Sequence, residues 1–215
     1  MNINGTAKYN EWLESIFKDA ERSDVCSKIK NLPYGYTVEC YDLLKNGEKA
    51  DRGQYRQLYD SSHNIIFTYL TTDEAPLCTV VERNNGIKYF FFCRELYGFS
   101  FLNLSTLKVI DYVPEETFTG KETFIWCDVI YNPQNDMLAV DGCYWACGTD
   151  TMVLSFGSLF DYDGEEKIAR DMLENGSQLS AIDFYCWENT DLLVITEDED
   201  CNEAKIRISQ EQYSK

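Results

Sequence analysis

The stretch that decides the fold covers residues 132–156 and reads NPQNDMLAVDGCYWACGTDTMVLSF. It begins with a turn, because Pro133 presets φ and the Asn and Asp residues after it tolerate unusual backbone angles. Residues 137–147 are extended and apolar on both faces, which is typical of a strand that is covered on both sides. Residues 148–150 turn the chain again, and residues 151–156 alternate as a second strand does. The stretch predicts a hairpin at the centre of a β-rich fold.

Trp145 is the largest side chain of the first predicted strand, and two interpretations of it are open. It shares a strand face with Cys143 and Cys147, while its neighbour Tyr144 points the opposite way. Because both faces of this strand are apolar, we expect Trp145 to lie in the core. In the alternative, Tyr144 and Trp145 line the rim of a binding pocket.

The composition indicates a folded chain in the cytoplasm. Its 215 residues suffice for a large core, and a hydrophobic share of 44% argues against disorder. The first ten residues are polar and do not form a signal peptide, and the longest apolar runs are too short to span a bilayer. In the cytoplasm we expect the nine cysteines to be mostly free thiols.

The net charge of −18 is concentrated in the second half of the chain. Residues 1–113 carry 13 Lys and Arg against 15 Asp and Glu, whereas residues 114–215 carry 6 against 22. Such a field repels nucleic acids and anionic membranes and attracts basic proteins. The simpler alternative is that the charge only keeps the protein soluble.

Residues 7–22 have the pattern of an amphipathic helix with Thr6 as its N-cap. A second short turn is predicted for residues 24–30, before Pro33 and Gly35. We therefore expect residues 1–34 to be an N-terminal helical segment packed on the core, and residues 35–215 to be a single all-β domain.

The remaining chain reads as a series of short strands separated by Asn, Gly and Asp turns. The predicted strands cover residues 36–43, 54–59, 65–70, 77–82, 87–93, 98–102, 124–131, 137–147, 151–156, 182–187, 192–196 and 204–208. The last of these alternates apolar and charged residues, which indicates an edge strand. One helix is predicted for residues 164–174, because Asp163 and Glu166 have the spacing of a capping box.

Three similar turns recur at intervals of roughly 50 to 55 residues, the range of propeller repeats. They are Asn84-Asn-Gly86, Gln134-Asn-Asp136 and Asn189-Thr-Asp191, and each is predicted between two strands. Asn46-Gly47 is a candidate for an earlier, degenerate copy.

The run from Asn132 to Asp141 resembles the hairpin of WD-repeat and related propeller blades, and residues 152–156 resemble the strand that ends such a blade. The likeness covers about 25 residues, and the Gly-His and Trp-Asp signatures are absent: the only histidine is His63, and Gly157 follows Phe156. The resemblance implies a binding scaffold. The expected fold is mainly β, with antiparallel meanders arranged as a propeller, as a sandwich, or as open sheets closed by dimerisation.

Catalytic, metal and cofactor sites are not expected. Cys143 and Cys147 lie about 13 Å apart at strand rise, too far to share one metal ion. His63 lies in a turn without a nucleophile motif, and phosphate-binding glycine loops are absent. The acidic run at residues 161–166 lacks the ligand spacing of a calcium loop.

The preferred function is that of a non-enzymatic acidic protein that binds, and inhibits, a basic protein partner. Immunity proteins and phage inhibitors share this composition. The candidate binding residues are Tyr144 and Trp145 together with the carboxylates Glu197, Asp198, Glu199 and Asp200. The alternative is a propeller-like domain that binds a small ligand or a peptide. Direct nucleic-acid or membrane binding is not expected, and the oligomeric state is left open.

Overall fold

The computed structural model describes residues 1–72, 76–119, 121–145, 147–162, 164 and 167–214. The protein is mainly β, with 52% of residues in strands and 17% in helices. The strands form four antiparallel sheets of three or four strands each, and within the described residues no barrel closes.

Strand neighbours follow chain order, so each sheet is a meander. Sheet 1 contains β1 (Glu21–Asn31), β2 (Thr37–Lys45), β3 (Glu48–Tyr59) and β4 (Ile65–Thr71). Sheet 2 contains β5 (Cys78–Glu82), β6 (Lys88–Phe92), β7 (Phe99–Asn103) and β8 (Val109–Tyr112). Sheet 3 contains β9 (Ile125–Asn132), β10 (Met137–Cys143) and β11 (Thr149–Ser155). Sheet 4 contains β12 (Leu179–Glu188), β13 (Asp191–Asp198) and β14 (Glu203–Ile208). The prediction of a mainly antiparallel β fold is confirmed, and the arrangement is sandwich-like.

The sheets stack face to face in chain order, which explains the strands that are apolar on both faces. In β6, Phe90 and Phe92 belong to the cluster shared with sheet 1, whereas Tyr89 and Phe91 belong to the cluster shared with sheet 3. In β10, Leu138 faces the cluster with sheet 2 while Ala139 joins the cluster with sheet 4. Successive side chains of a strand point to opposite faces, so each inner sheet has apolar residues on both of its faces.

The first helix, α1 (Ala7–Phe17), has the predicted N-cap, since the backbone N–H of Tyr9 donates to Thr6 Oγ1 at 3.3 Å. It ends five residues earlier than predicted, and Asp19 takes a positive φ of 57° before β1 begins. The predicted turn at residues 24–30 is wrong, because these residues belong to edge strand β1 and pair with β2. The division into residues 1–34 and 35–215 stays a prediction.

The predicted helix over residues 164–174 is reduced to the single turn α3 (Ala169–Met172). Lys167 and Ile168 are extended instead: Val153 N donates to Lys167 O at 2.9 Å, and Ile168 bridges to Met152. Residues 167 and 168 therefore pair with the open edge of β11, and their backbone groups do not need the hydrogen bonds of a helix. Asp163 and Glu166, the predicted capping box, lie outside the described residues. Two further short helices are α2 (Glu116–Thr119) and α4 (Gln210–Tyr213). Among the helices that the structure describes, none is both long and apolar enough to cross a bilayer.

The three recurring turns are structurally equivalent, as predicted: each joins the first two strands of its sheet. They also touch one another, since Arg83 Nε donates to Asp136 Oδ1 at 2.8 Å and Asn132 Nδ2 donates to Asn189 O at 2.7 Å. Asn46-Gly47 is not a fourth copy, because it joins the second and third strands of sheet 1 and so lies at the opposite end. We call the end with the three turns the repeat end and the other the distal end.

Candidate functional site

The two groups of predicted binding residues lie at the distal ends of sheets 3 and 4. Tyr144 and Trp145 belong to the loop between β10 and β11, and the carboxylate run belongs to the β13–β14 hairpin. Ser180 connects them. A Cβ on Gly148 would lie 1.7 Å from Ser180 O, and Ser180 Oγ donates to Glu197 O at 3.0 Å. Groups about 50 residues apart in the sequence therefore border one surface.

Trp145 is not a core residue, so the core interpretation is wrong: it is 58% exposed. The strand ends at Cys143, which pairs with Ile125 at the start of β9 and with Thr149 at the start of β11. Beyond Cys143 the chain forms a loop, in which Cys147 N donates to Tyr144 O at 3.0 Å. The apolar pattern continues past the last ladder residue, and this misled the sequence interpretation.

Tyr144 is half-buried, with its ring 5.5 Å from that of Phe124 in an edge-to-face contact. It separates two cavities at the distal end. The smaller cavity, the aromatic pocket, has a volume of about 220 Å³ and is lined by Tyr112, Tyr144, Glu116 and Glu122, with Met1, Thr123 and Gly164 at its rim. Its walls combine two aromatic rings with two carboxylates, which suits a cationic group.

The larger cavity has a volume of about 510 Å³ and also reaches Glu122 and Tyr144. Asp150 is buried in its wall, and Arg170 Nε donates to Asp150 Oδ2 at 3.1 Å. The same guanidinium donates to the backbone carbonyls of Gly176 and Leu179. Burial raises the pKa of the Asp150 carboxyl. Arg170 therefore serves an internal network.

The four carboxylates of the β13–β14 hairpin do not share one role. Asp198 holds the loop, accepting from the backbone N–H groups of Asp200 and Asn202 at 2.9 Å, and hydrogen bonds from Asn202 lower its pKa. Asp60 accepts from Ser62 and Asn64 in the same way. A hydrogen bond to Glu197 raises the pKa of the Cys201 thiol. Glu199 and Asp200 are exposed at the tip and are the carboxylates best placed to meet a partner.

The cations of sheets 3 and 4 are engaged within the protein. Lys167 Nζ donates to Tyr213 O at 3.1 Å, and Lys205 Nζ lies 3.3 Å from the ring centroid of Tyr185. Arg207 forms ion pairs with Glu188 and Asp191. Residues 114–215 carry 22 acidic against 6 basic residues, so carboxylates dominate the surface potential near the hairpin.

Sequence reasoning missed Tyr112, Glu116 and Glu122. They come from β8, α2 and the segment before β9, and only the stacking of sheets 2 and 3 brings them beside Tyr144. The sequence signal that was available is the pair of acidic residues Glu115 and Glu116, which is too common on surfaces to mark a site.

No protein-family model matches the chain, and no curated protein matches its sequence. The resemblance to propeller blades therefore depends on the quoted residues alone.

Proposed function

We propose that the protein is a non-enzymatic binding protein that captures a basic protein partner through its distal end, and that this capture inhibits the partner. The observation that carries the proposal is the position of Trp145. This exposed indole belongs to the loop that borders both the aromatic pocket and, through Ser180, the carboxylate hairpin.

The chemistry of this end is complementary to lysine and arginine side chains. Glu116 and Glu122 at the pocket, and Glu199 and Asp200 at the hairpin tip, attract cations and speed up encounter. Trp145 supplies a flat apolar surface on which an ammonium or guanidinium group can stack. Tryptophan is also among the residues that contribute most binding energy at protein interfaces.

The alternative, a small-ligand or peptide site, is favoured only by the aromatic pocket. Its volume of about 220 Å³ is below the roughly 300–1,000 Å³ typical of small-molecule sites. It is sufficient for the head group of one lysine or arginine side chain. The pocket thus supports a protein partner that inserts a basic residue more strongly than it supports a free ligand.

We also propose that the four stacked meanders act as blades of an open, propeller-like scaffold in the cytoplasm. The first strands of sheets 2 and 3, β5 and β9, lie in contact, and the turns of sheets 2 to 4 gather at one end. In such a scaffold the loops at one end are free to vary for binding.

The test measures binding of an oligo-arginine peptide and then recovery of the natural partner. Because Trp145 is exposed, its fluorescence should change when the peptide binds, and binding should weaken steeply with added salt. Trp145→Ala, and the pair Glu199→Gln with Asp200→Asn, should each weaken binding about tenfold or more, which corresponds to about 1.4 kcal/mol.

Leu107→Ala is the matched control, since Leu107 is as exposed as Trp145 but lies in the β7–β8 hairpin at the repeat end. Its binding should equal that of the wild type. A pull-down from host lysate should recover a basic protein whose activity falls when the wild-type chain is added. Unchanged peptide and partner binding by both distal variants would refute the proposal.

A further inference from the structure

Among the sheets that the structure describes, none covers the outer face of sheet 1. Its inner face packs on sheet 2 through Val38, Cys40 and Leu58. Residues that alternate with these in β2 and β3 must point the other way, and the register pairs Glu39 with Gln57. Helix α1 reaches this face only at its distal end, where Phe17 approaches Gly53 and Leu43.

The centre of this outer face is a preorganised layer of planar side chains. Arg22 and His63 form its exposed surface, and they cover the buried side chains of Tyr41, Gln57 and Tyr59. The Arg22 guanidinium lies 4.7 Å from the ring centroid of Tyr41 and 5.5 Å from that of Tyr55. Arg22 Nη1 donates to Gln57 Oε1 at 3.2 Å, and Tyr59 OH donates to the same oxygen at 3.1 Å. Side chains held in place before contact lose little conformational entropy when a partner packs on them.

Apolar side chains flank this layer on both sides. Ile29 on β1 is 59% exposed, and Ile65 on β4 is 54% exposed. Between them His63 is stacked on Tyr59, with ring centroids 4.5 Å apart. Arginine and tyrosine are enriched in protein interfaces, and on this face the exposed Arg22 and the half-buried Tyr55 are within reach of a partner.

We propose that a second copy of this chain packs on the outer face of sheet 1, face to face about a two-fold axis. An interface of this kind must be self-complementary, because the same surface meets itself. The face meets this requirement: it carries the cation Arg22 and the anion Glu39, so that each can approach the opposite charge of the other copy.

The charge distribution also favours a dimer interface in the first half of the chain, which contains sheet 1. Residues 1–113 carry 13 basic and 15 acidic residues, whereas residues 114–215 carry 6 and 22. Two copies that met through sheets 3 and 4 would oppose like charges, whereas contact through sheet 1 avoids this repulsion. In the resulting dimer both distal sites of sheets 3 and 4 stay open, although the inference does not depend on their function.

The first test is sedimentation of the full chain without any partner, from about 1 to about 100 μM. We expect a dimer that Ile29→Asp and Ile65→Asp each weaken at least tenfold, since each substitution occurs twice in a two-fold interface. Both isoleucines are exposed in the monomer, so both variants should match the melting temperature of the wild type at concentrations low enough for the wild type to be monomeric. Leu107→Asp is the control, since Leu107 has the same exposure as Ile65 but belongs to sheet 2, and it should leave the dimer intact.

The second test uses a charge exchange between two separate variants. In a dimer of Arg22→Glu, the new glutamate of each copy would face Glu39 of the other copy. In a dimer of Glu39→Arg, the new arginine of each copy would face Arg22 of the other. Like charges meet in both cases, so each variant alone should be largely monomeric. Mixed together, they should form a heterodimer, because both contacts then join opposite charges. A monomeric wild type at about 100 μM, equal weakening by Leu107→Asp, growth beyond a dimer, or failure of the mixed variants to associate would overturn the proposal.

Discussion

At the scale of single residues, two tryptophans of sheet 3 have opposite environments. Trp126 is 2% exposed and stacks on Phe99, with ring centroids 4.0 Å apart. Trp145 is in the loop beyond the end of β10, where it is exposed. Both lie in apolar stretches of the sequence. Their environments differ because Trp126 lies within a paired strand, whereas Trp145 lies beyond the residue at which strand pairing ends.

These environments predict different costs of truncation. Trp126→Ala should lower the free energy of unfolding by about 3–5 kcal/mol, because it leaves a cavity between sheets 2 and 3. Trp145→Ala should change it by no more than about 0.5 kcal/mol. Urea denaturation followed by far-UV circular dichroism measures both. A large loss of stability in Trp145→Ala would show that Trp145 is a core residue and would contradict its assignment to an exposed loop.

Asp141 gives the stability a pH dependence of unusual sign. It lies directly opposite Asp128 in the ladder and accepts from Thr151 Oγ1 at 2.8 Å and from Phe184 N at 2.9 Å. Burial raises its pKa above the ordinary value of 3.8. A carboxyl with a raised pKa binds its proton more tightly in the folded state, so its contribution is present below pH 3.8 and is lost as pH rises through the folded pKa.

Asp141→Asn should remove this contribution while keeping an oxygen that accepts the two hydrogen bonds. The variant should therefore gain stability relative to the wild type as pH rises from about 3.8 towards neutrality. Parallel urea titrations at several pH values measure the difference. A constant difference across this range would contradict the assignment to Asp141.

At the scale of elements, sequence patterns predicted most strands, and the exceptions have physical reasons. Strand β1 has no apolar alternation, because it is an exposed edge held by backbone pairing with β2. Strand β8 has only four residues, too few to show a period. The helix predicted over residues 164–174 lost residues 167 and 168 to the edge of β11, a pairing partner that local sequence cannot reveal.

The loop between β10 and β11 is held against β12 by the absence of a side chain at Gly148. A Cβ there would lie 1.7 Å from Ser180 O and 2.9 Å from Ser180 C, both backbone atoms that cannot rotate away. Gly148→Ala should therefore cost about 1–3 kcal/mol and move the Trp145 loop away from sheet 4.

Gly157→Ala provides the matched control, because its nearest neighbour would be Ser155 Oγ at 3.9 Å, an ordinary contact. It should leave the melting temperature nearly unchanged. Equal melting temperatures for the two alanine variants would show that the loop does not depend on this close approach.

At the scale of the whole molecule, the sequence indicated the β class, the equivalent turns and the acidic second half. It did not indicate which sheet packs on which, because the contacts between sheets join residues far apart in the chain. For the same reason the sequence predicted only part of the candidate site. Tyr144 and the hairpin were found from local composition, whereas Glu122 and Tyr112 became neighbours of Tyr144 only through the stacking of sheets 2 and 3.

Because the sheets stack in chain order, each sheet can pack on the preceding one as soon as it leaves the ribosome during synthesis. Phe90 and Phe92 can pack on sheet 1, which has already left the ribosome, whereas Tyr89 and Phe91 must wait for sheet 3. At about 5–20 residues per second, a further sheet of roughly 50 residues takes about 3–10 s to emerge. During those seconds the second sheet presents an aromatic face to solvent, and a nascent chain halted after β8 is the form in which chaperones would find most to bind.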